Sequence, residues 1–158
     1  MKHNHSAFYR RLQTIHPLKL CLFVLVTDLL VTFLFSVILF PEPQYGNDMR
    51  SYALWEQVLL LLIAAPLAET YIFQRLFLEG MIRLTRQIGL SVFLIALLFG
   101  AAHHYSVPYM VKAFIAGLLY CALYLITKQK GKYAYWYTAG THFVFNLVGI
   151  LLNAFAAI

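Results

Sequence analysis

Five apolar stretches, near residues 19–40, 55–80, 88–106, 109–127 and 134–157, follow one another with only short polar connections between them. Each is close to the roughly 20 residues that carry a helix across a bilayer. A chain of 158 residues that is 62% hydrophobic and 11% charged has too little polar surface to cover a water-soluble core. Backbone groups in hydrocarbon must satisfy one another, which admits helices or closed barrels, and these stretches lack the alternating period of barrel strands. The expected fold is all-α: a polytopic membrane bundle of about five transmembrane helices, with the lipid bilayer as its first partner.

The net charge of +6 is distributed as membrane orientation requires. Arg10, Arg11 and Lys19 precede the first stretch, Arg75, Arg83 and Arg86 surround the end of the second, and Lys128, Lys130 and Lys132 follow the fourth. These regions are expected on the cytoplasmic side, with the 41–50 loop and the 106–108 turn outside, giving an N-in, C-out topology. The grouping excludes nucleic acid as a partner, because the basic residues form no continuous patch. Residues 1–18 read as a basic cytoplasmic leader and 19–158 as a single transmembrane domain. The first stretch is longer than a cleavable signal core, so it is expected to remain as an anchor. Cys21 and Cys121, a hundred positions apart inside apolar runs, suit neither a metal knuckle nor a redox pair.

Against this background four polar residues stand out. Glu69, His103, His142 and Asn146 all fall inside apolar runs, where an ionisable or amide group is costly unless it faces a bundle interior or a wet cavity. His142 and Asn146, four apart, share a helix face, and Phe99 and His103 have the same spacing. Pro66 is expected to loosen the helix beside Glu69 and help admit water. Counted from the nearest cytoplasmic helix ends at about 1.5 Å per residue, the depths of Glu69, His103 and His142 spread over about 9 Å, which helix tilt absorbs. Interhelical hydrogen bonding is the plainer role for any one of these residues taken alone. His104 would face away from its neighbour, toward a polar boundary. Asp28 and Lys112 are two further costly charges, each in want of a partner. Small residues, among them Gly100, Ala101, Ala116, Gly117 and Gly140, suit close helix packing, and Tyr45, Tyr52, Trp55, Tyr133, Tyr135, Trp136 and Tyr137 suit interface belts.

The motifs Glu69-Thr70-x-x-Phe73-Gln74, Phe99-x-x-x-His103 and His142-x-x-x-Asn146, in that order and in separate spans, resemble the three motifs of the CAAX protease and bacteriocin-processing (CPBP, or Abi) family. The resemblance covers about residues 55–150. It implies glutamate-dependent hydrolysis of a small peptide or a membrane-associated protein. Glu69 and His103 would activate water, His142 and Asn146 would stabilise the oxyanion, and Thr70, Gln74, Phe99 and His104 would support them. It also implies an integral membrane protein, expected in a prokaryotic cytoplasmic membrane. The family's usual first motif is Glu-Glu-x-x-x-Arg, and here Thr70 and Gln74 replace the second Glu and the Arg, while Arg75 is one position late. A neutral pair thus takes the place of a charged one.

No cofactor is expected. Zinc is the competing possibility, since two His and one Glu make a common catalytic ligand set. The chain lacks His-Glu-x-x-His, however, and Glu69 as a ligand would leave the water without a base. Two other functions compete with hydrolysis: a non-catalytic membrane binding or immunity factor on the same fold, and a transporter with relay charges at Asp28, Glu69 and Lys112.

Overall fold

The computed structural model describes residues 14–41, 52–131 and 133–156. The first thirteen residues of the expected leader, the 42–51 segment of the outward loop and Lys132 lie outside the described residues. The described residues form five long helices and no strand: α1 (Pro17–Leu39), α2 (Leu54–Thr85), α3 (Ile88–Ala102), α4 (Val107–Lys128) and α5 (Ala134–Ala156). They coincide with the five apolar stretches. Three of them, α1, α2 and α4, are long and apolar enough to cross a membrane. At 15 residues α3 is shorter, and the expected 88–106 span is corrected to Ile88–Ala102.

The ends have local causes. His16 caps α1, its Nδ1 accepting the Leu18 N–H at 3.3 Å, and Pro17 supplies the first helical turn with a preset φ. Ser106 caps α4 in the same way, accepting from the Tyr109 N–H at 3.3 Å ahead of Pro108. α3 stops because His103 leaves the helical region (φ −99°, ψ 48°), its ring taking the Phe99 carbonyl at 2.7 Å. α2 ends on Arg86, in the left-handed region at φ 57°, which turns the chain within two residues into α3.

Packing follows from where small residues lie. α3 and α4 form the closest pair of the bundle. A Cβ on Gly100 would fall 2.8 Å from the Met110 carbonyl oxygen, so a glycine is required there by backbone approach, and one on Gly117 would fall 3.1 Å from Ala96 Cα, a tight contact that favours glycine. Gly140 has open space around it and plays no such part. α1 packs on α4 and α5, and α2 on α3 and α5. The side of α1 turned inward is the stripe Leu20, Val24 and Asp28, spaced by four, so a carboxylate occupies what the pattern reserves for an apolar residue. The remaining face, with Leu18, Leu22, Phe23, Val26 and Leu30 exposed, suits lipid. With apolar flanks of this kind on a helical bundle, the chain is an integral membrane protein.

Candidate active site

α2 changes pitch twice, and this sets the site. Its hydrogen bonding is i→i+5 over Val58–Ala64, α-helical over Ala65–Glu69, and i→i+5 again over Thr70–Leu78. Wide turns of this kind cluster at functional positions. In the first wide segment the Ala65 N–H bonds to the Leu60 carbonyl, so the donor next in line for the Leu61 carbonyl is Pro66, which has no N–H. Asn146 takes its place, donating Nδ2–H to the Leu61 oxygen at 2.8 Å. Pro66 therefore loosens the helix as expected, and the loosened carbonyl fixes Asn146 of α5 against α2, about two turns before Glu69.

The four polar residues line one cavity of about 470 Å³. Glu69 contributes from α2, His103 from the end of α3, and His142 and Asn146 from α5. Glu69 Oε2 and His103 Nε2 are 3.8 Å apart, an ion-pair distance too long for a direct hydrogen bond. Glu69 Oε2 is buried and accepts no hydrogen bond from the described residues. His103 Nδ1 lies 2.7 Å from the Phe99 carbonyl, which can only accept, so in the neutral ring Nδ1 carries the proton and Nε2 turns a lone pair toward Glu69. His142 is held by its ring, stacked on Tyr120 at 5.0 Å and meeting the edge of Phe99 at 6.5 Å. Phe99 also packs on His103 at 4.6 Å and on Phe73 at 5.0 Å, and so touches both histidines.

The other expected positions separate clearly. Thr70 and Gln74 are fully buried on the inner stripe of α2 with Leu78, outside the cavity lining. Arg75 is exposed, over the Tyr71 ring at 5.8 Å, and does not replace the missing Arg of the motif. His104, two residues past the end of α3, is exposed, stacks on Tyr105 and does not line the cavity, in keeping with the outward orientation expected of it. Cys21 is half-buried and Cys121 buried, both free thiols.

Charges flagged without partners in the sequence find them here. Asp28 of α1 and Lys112 of α4 both line the cavity, with Lys112 Nζ 3.9 Å from Asp28 Oδ1, while Asp28 Oδ2 accepts the Tyr120 hydroxyl at 2.7 Å. Tyr52, Tyr105 and Tyr109 also line the wall, at the end of the bundle away from Arg83, Arg86 and Lys128. Sequence reasoning assigned Tyr52 to an interface belt and gave no role to the other two. Isolated tyrosines in apolar helices carry no signal that separates a cavity wall from a boundary. Among the described residues, no three His, Cys, Asp or Glu side chains are grouped to hold a metal ion.

The chain is thus a helical membrane protein with a carboxylate, two imidazoles and an amide around one cavity. The model of the type II CAAX prenyl endopeptidase Rce1-like family matches residues 51–148, and the chain belongs to that family. All three motifs lie within the match, which bears out the resemblance drawn from them; α1 lies outside it. At the level of the family this is a CAAX-protease-type membrane peptidase. No curated protein and no solved structure gives a significant match.

Proposed function

We propose that the protein is an intramembrane endopeptidase in which Glu69 and His103 activate a water molecule for attack on a peptide carbonyl. The observation that carries this reading is the pair of facing acceptors, Glu69 Oε2 and His103 Nε2, 3.8 Å apart on the wall of the shared cavity. Water bridges polar groups that are too far apart to bond directly. With Nδ1 protonated by the Phe99 contact, a water lying between the two would give one hydrogen to each acceptor and present its oxygen lone pair to the substrate. Attack forms the C–O bond as Glu69 takes the water's proton. Collapse of the tetrahedral intermediate breaks the C–N bond, and Glu69 returns the proton to the leaving amine.

Negative charge on the carbonyl oxygen needs donors that are already in place. Asn146 has a second amide N–H beyond the one given to Leu61, and His142 is oriented by Tyr120 and Phe99, so both are suited to that role. Thr70 and Gln74 lie outside the cavity, so exchanging a charged pair for a neutral one there leaves the proposed four-residue site intact. The substrate would be a peptide or membrane-associated protein, and the route is metal-free.

The full-length protein in lipid nanodiscs, offered a prenylated fluorogenic peptide ending in a Cys-aliphatic-aliphatic-X sequence, tests the reading. Cleavage by the wild type should survive exhaustive chelation and dialysis and should disappear in His103→Ala. Loss of activity on chelation, restored by zinc, rejects the metal-free route. If folded Ala variants at all four positions keep the protein's full biological effect, it is a binding factor on a protease fold.

A further inference from the structure

One charged group in the cavity has no part in the hydrolytic scheme. Lys112 lies in the middle of the bundle with its side chain 7% exposed, and what exposure it has is toward the cavity it lines. A lysine buried in a membrane helix bundle is held there at considerable cost. Its carboxylate partner does not saturate it. Asp28 Oδ2 is committed to the Tyr120 hydroxyl, and Oδ1, at 3.9 Å, is beyond hydrogen-bond distance and has no hydrogen-bond partner among the described residues. The ammonium instead sits 4.2 Å from the centre of the Phe145 ring, next in sequence to Asn146, and 5.7 Å from that of Tyr109. An ammonium has three N–H donors and no acceptor, so this one is neutralised in charge while its donors remain to be filled.

We propose that Lys112, held at the cavity wall by Asp28 and the Phe145 ring, is a specificity-determining residue that binds a carboxylate of the peptide substrate. This rests on the peptidase reading and names what the same cavity selects. Glu69 and Asp28 would both repel an anionic peptide, and Lys112 is the cavity's counterweight. A charge-assisted bond in a low-dielectric cavity is strong enough to discriminate between ligands, although Lys112 must share its charge with Asp28. The carboxylate has two possible sources, the peptide's own C-terminus or an acidic side chain. α1 thereby becomes part of the site although it lies outside the family match, because its Asp28 fixes where the ammonium stands.

The test uses full-length protein in nanodiscs and three peptide pairs: C-terminal free acid against carboxamide, and, in carboxamide peptides, Asp against Asn and Glu against Gln near the cleavage site. Binding is measured on the Glu69→Gln protein and cleavage on the wild type, so that failure of catalysis and failure of recognition are read separately. The carboxylate member of at least one pair should bind about tenfold more tightly, with the difference in KM and not in kcat. Because Lys112→Met alone strands Asp28 in the bundle and endangers folding, the deciding variant is Asp28→Asn with Lys112→Met. It should bring the preference close to one, and Lys112→Arg should retain part of it. Preference in the first pair assigns the C-terminus and preference in the others a side chain. Equal binding within all three pairs, or a preference that survives the double variant, overturns the proposal.

Discussion

Two glutamates ten residues apart on α2 meet opposite fates. Glu79, near the end of the helix, is tied down: the Tyr124 hydroxyl donates to Oε1, Lys128 Nζ is 2.6 Å from the same oxygen, and Arg83 approaches Oε2 at 3.5 Å. Glu69 has His103 at 3.8 Å and a buried oxygen with no hydrogen-bond partner among the described residues. A carboxylate whose lone pairs are filled by α4 serves to join two helices. One whose lone pairs point into a cavity keeps them for a ligand or a proton. The same side chain is thus a structural tie at one position and a candidate for chemistry at the other, according to what its neighbours supply.

That contrast can be broken most decisively at Glu69. Glu69→Gln keeps the shape and removes the base, so peptide turnover should fall by about a thousandfold, while thermal unfolding in detergent should show no loss of stability because no hydrogen bond to Glu69 is lost. Turnover above a tenth of wild type would sink the assignment. Asn146→Ala tests a residue that belongs to both kinds of region. Loss of an oxyanion donor should cost about a hundredfold in kcat, and the stranded Leu61 carbonyl should also lower stability by about 1–3 kcal/mol. A pure packing residue would show only the second effect. Glu79→Gln should show the reverse of Glu69→Gln: a stability loss of about 1–2 kcal/mol by denaturant titration, with turnover affected far less than stability. The smallest effect belongs to the turn after α2, where Arg86→Gly should relieve the left-handed strain and raise stability by up to about 1 kcal/mol. A drop would mean that the Arg86 side chain makes a contact that outweighs its backbone strain.

Much of this was legible in the chain because the bilayer is an unforgiving solvent. Glu69, His103, His142 and Asn146 are conspicuous only because hydrocarbon makes every polar group costly, and the same reasoning flagged Asp28 and Lys112. Gly100 and Gly117 were likewise visible as packing residues, whereas Gly140 looks identical in sequence and faces open space. His104, adjacent to the motif residue His103, was placed facing away by position alone, and it is exposed and stacked on Tyr105.

The sequence alone determined that this is a helical membrane bundle, where its five helices run and which residues are candidates for the chemistry, since apolar length, charge asymmetry and motif spacing are local properties. Tertiary structure decided the partnerships: Asp28 with Lys112 and Tyr120, Asn146 with the carbonyl that Pro66 leaves open, and Glu79 with Lys128 while Glu69 stays loose. Those depend on helix rotation and on the change of pitch along α2, which bring together residues far apart in the chain.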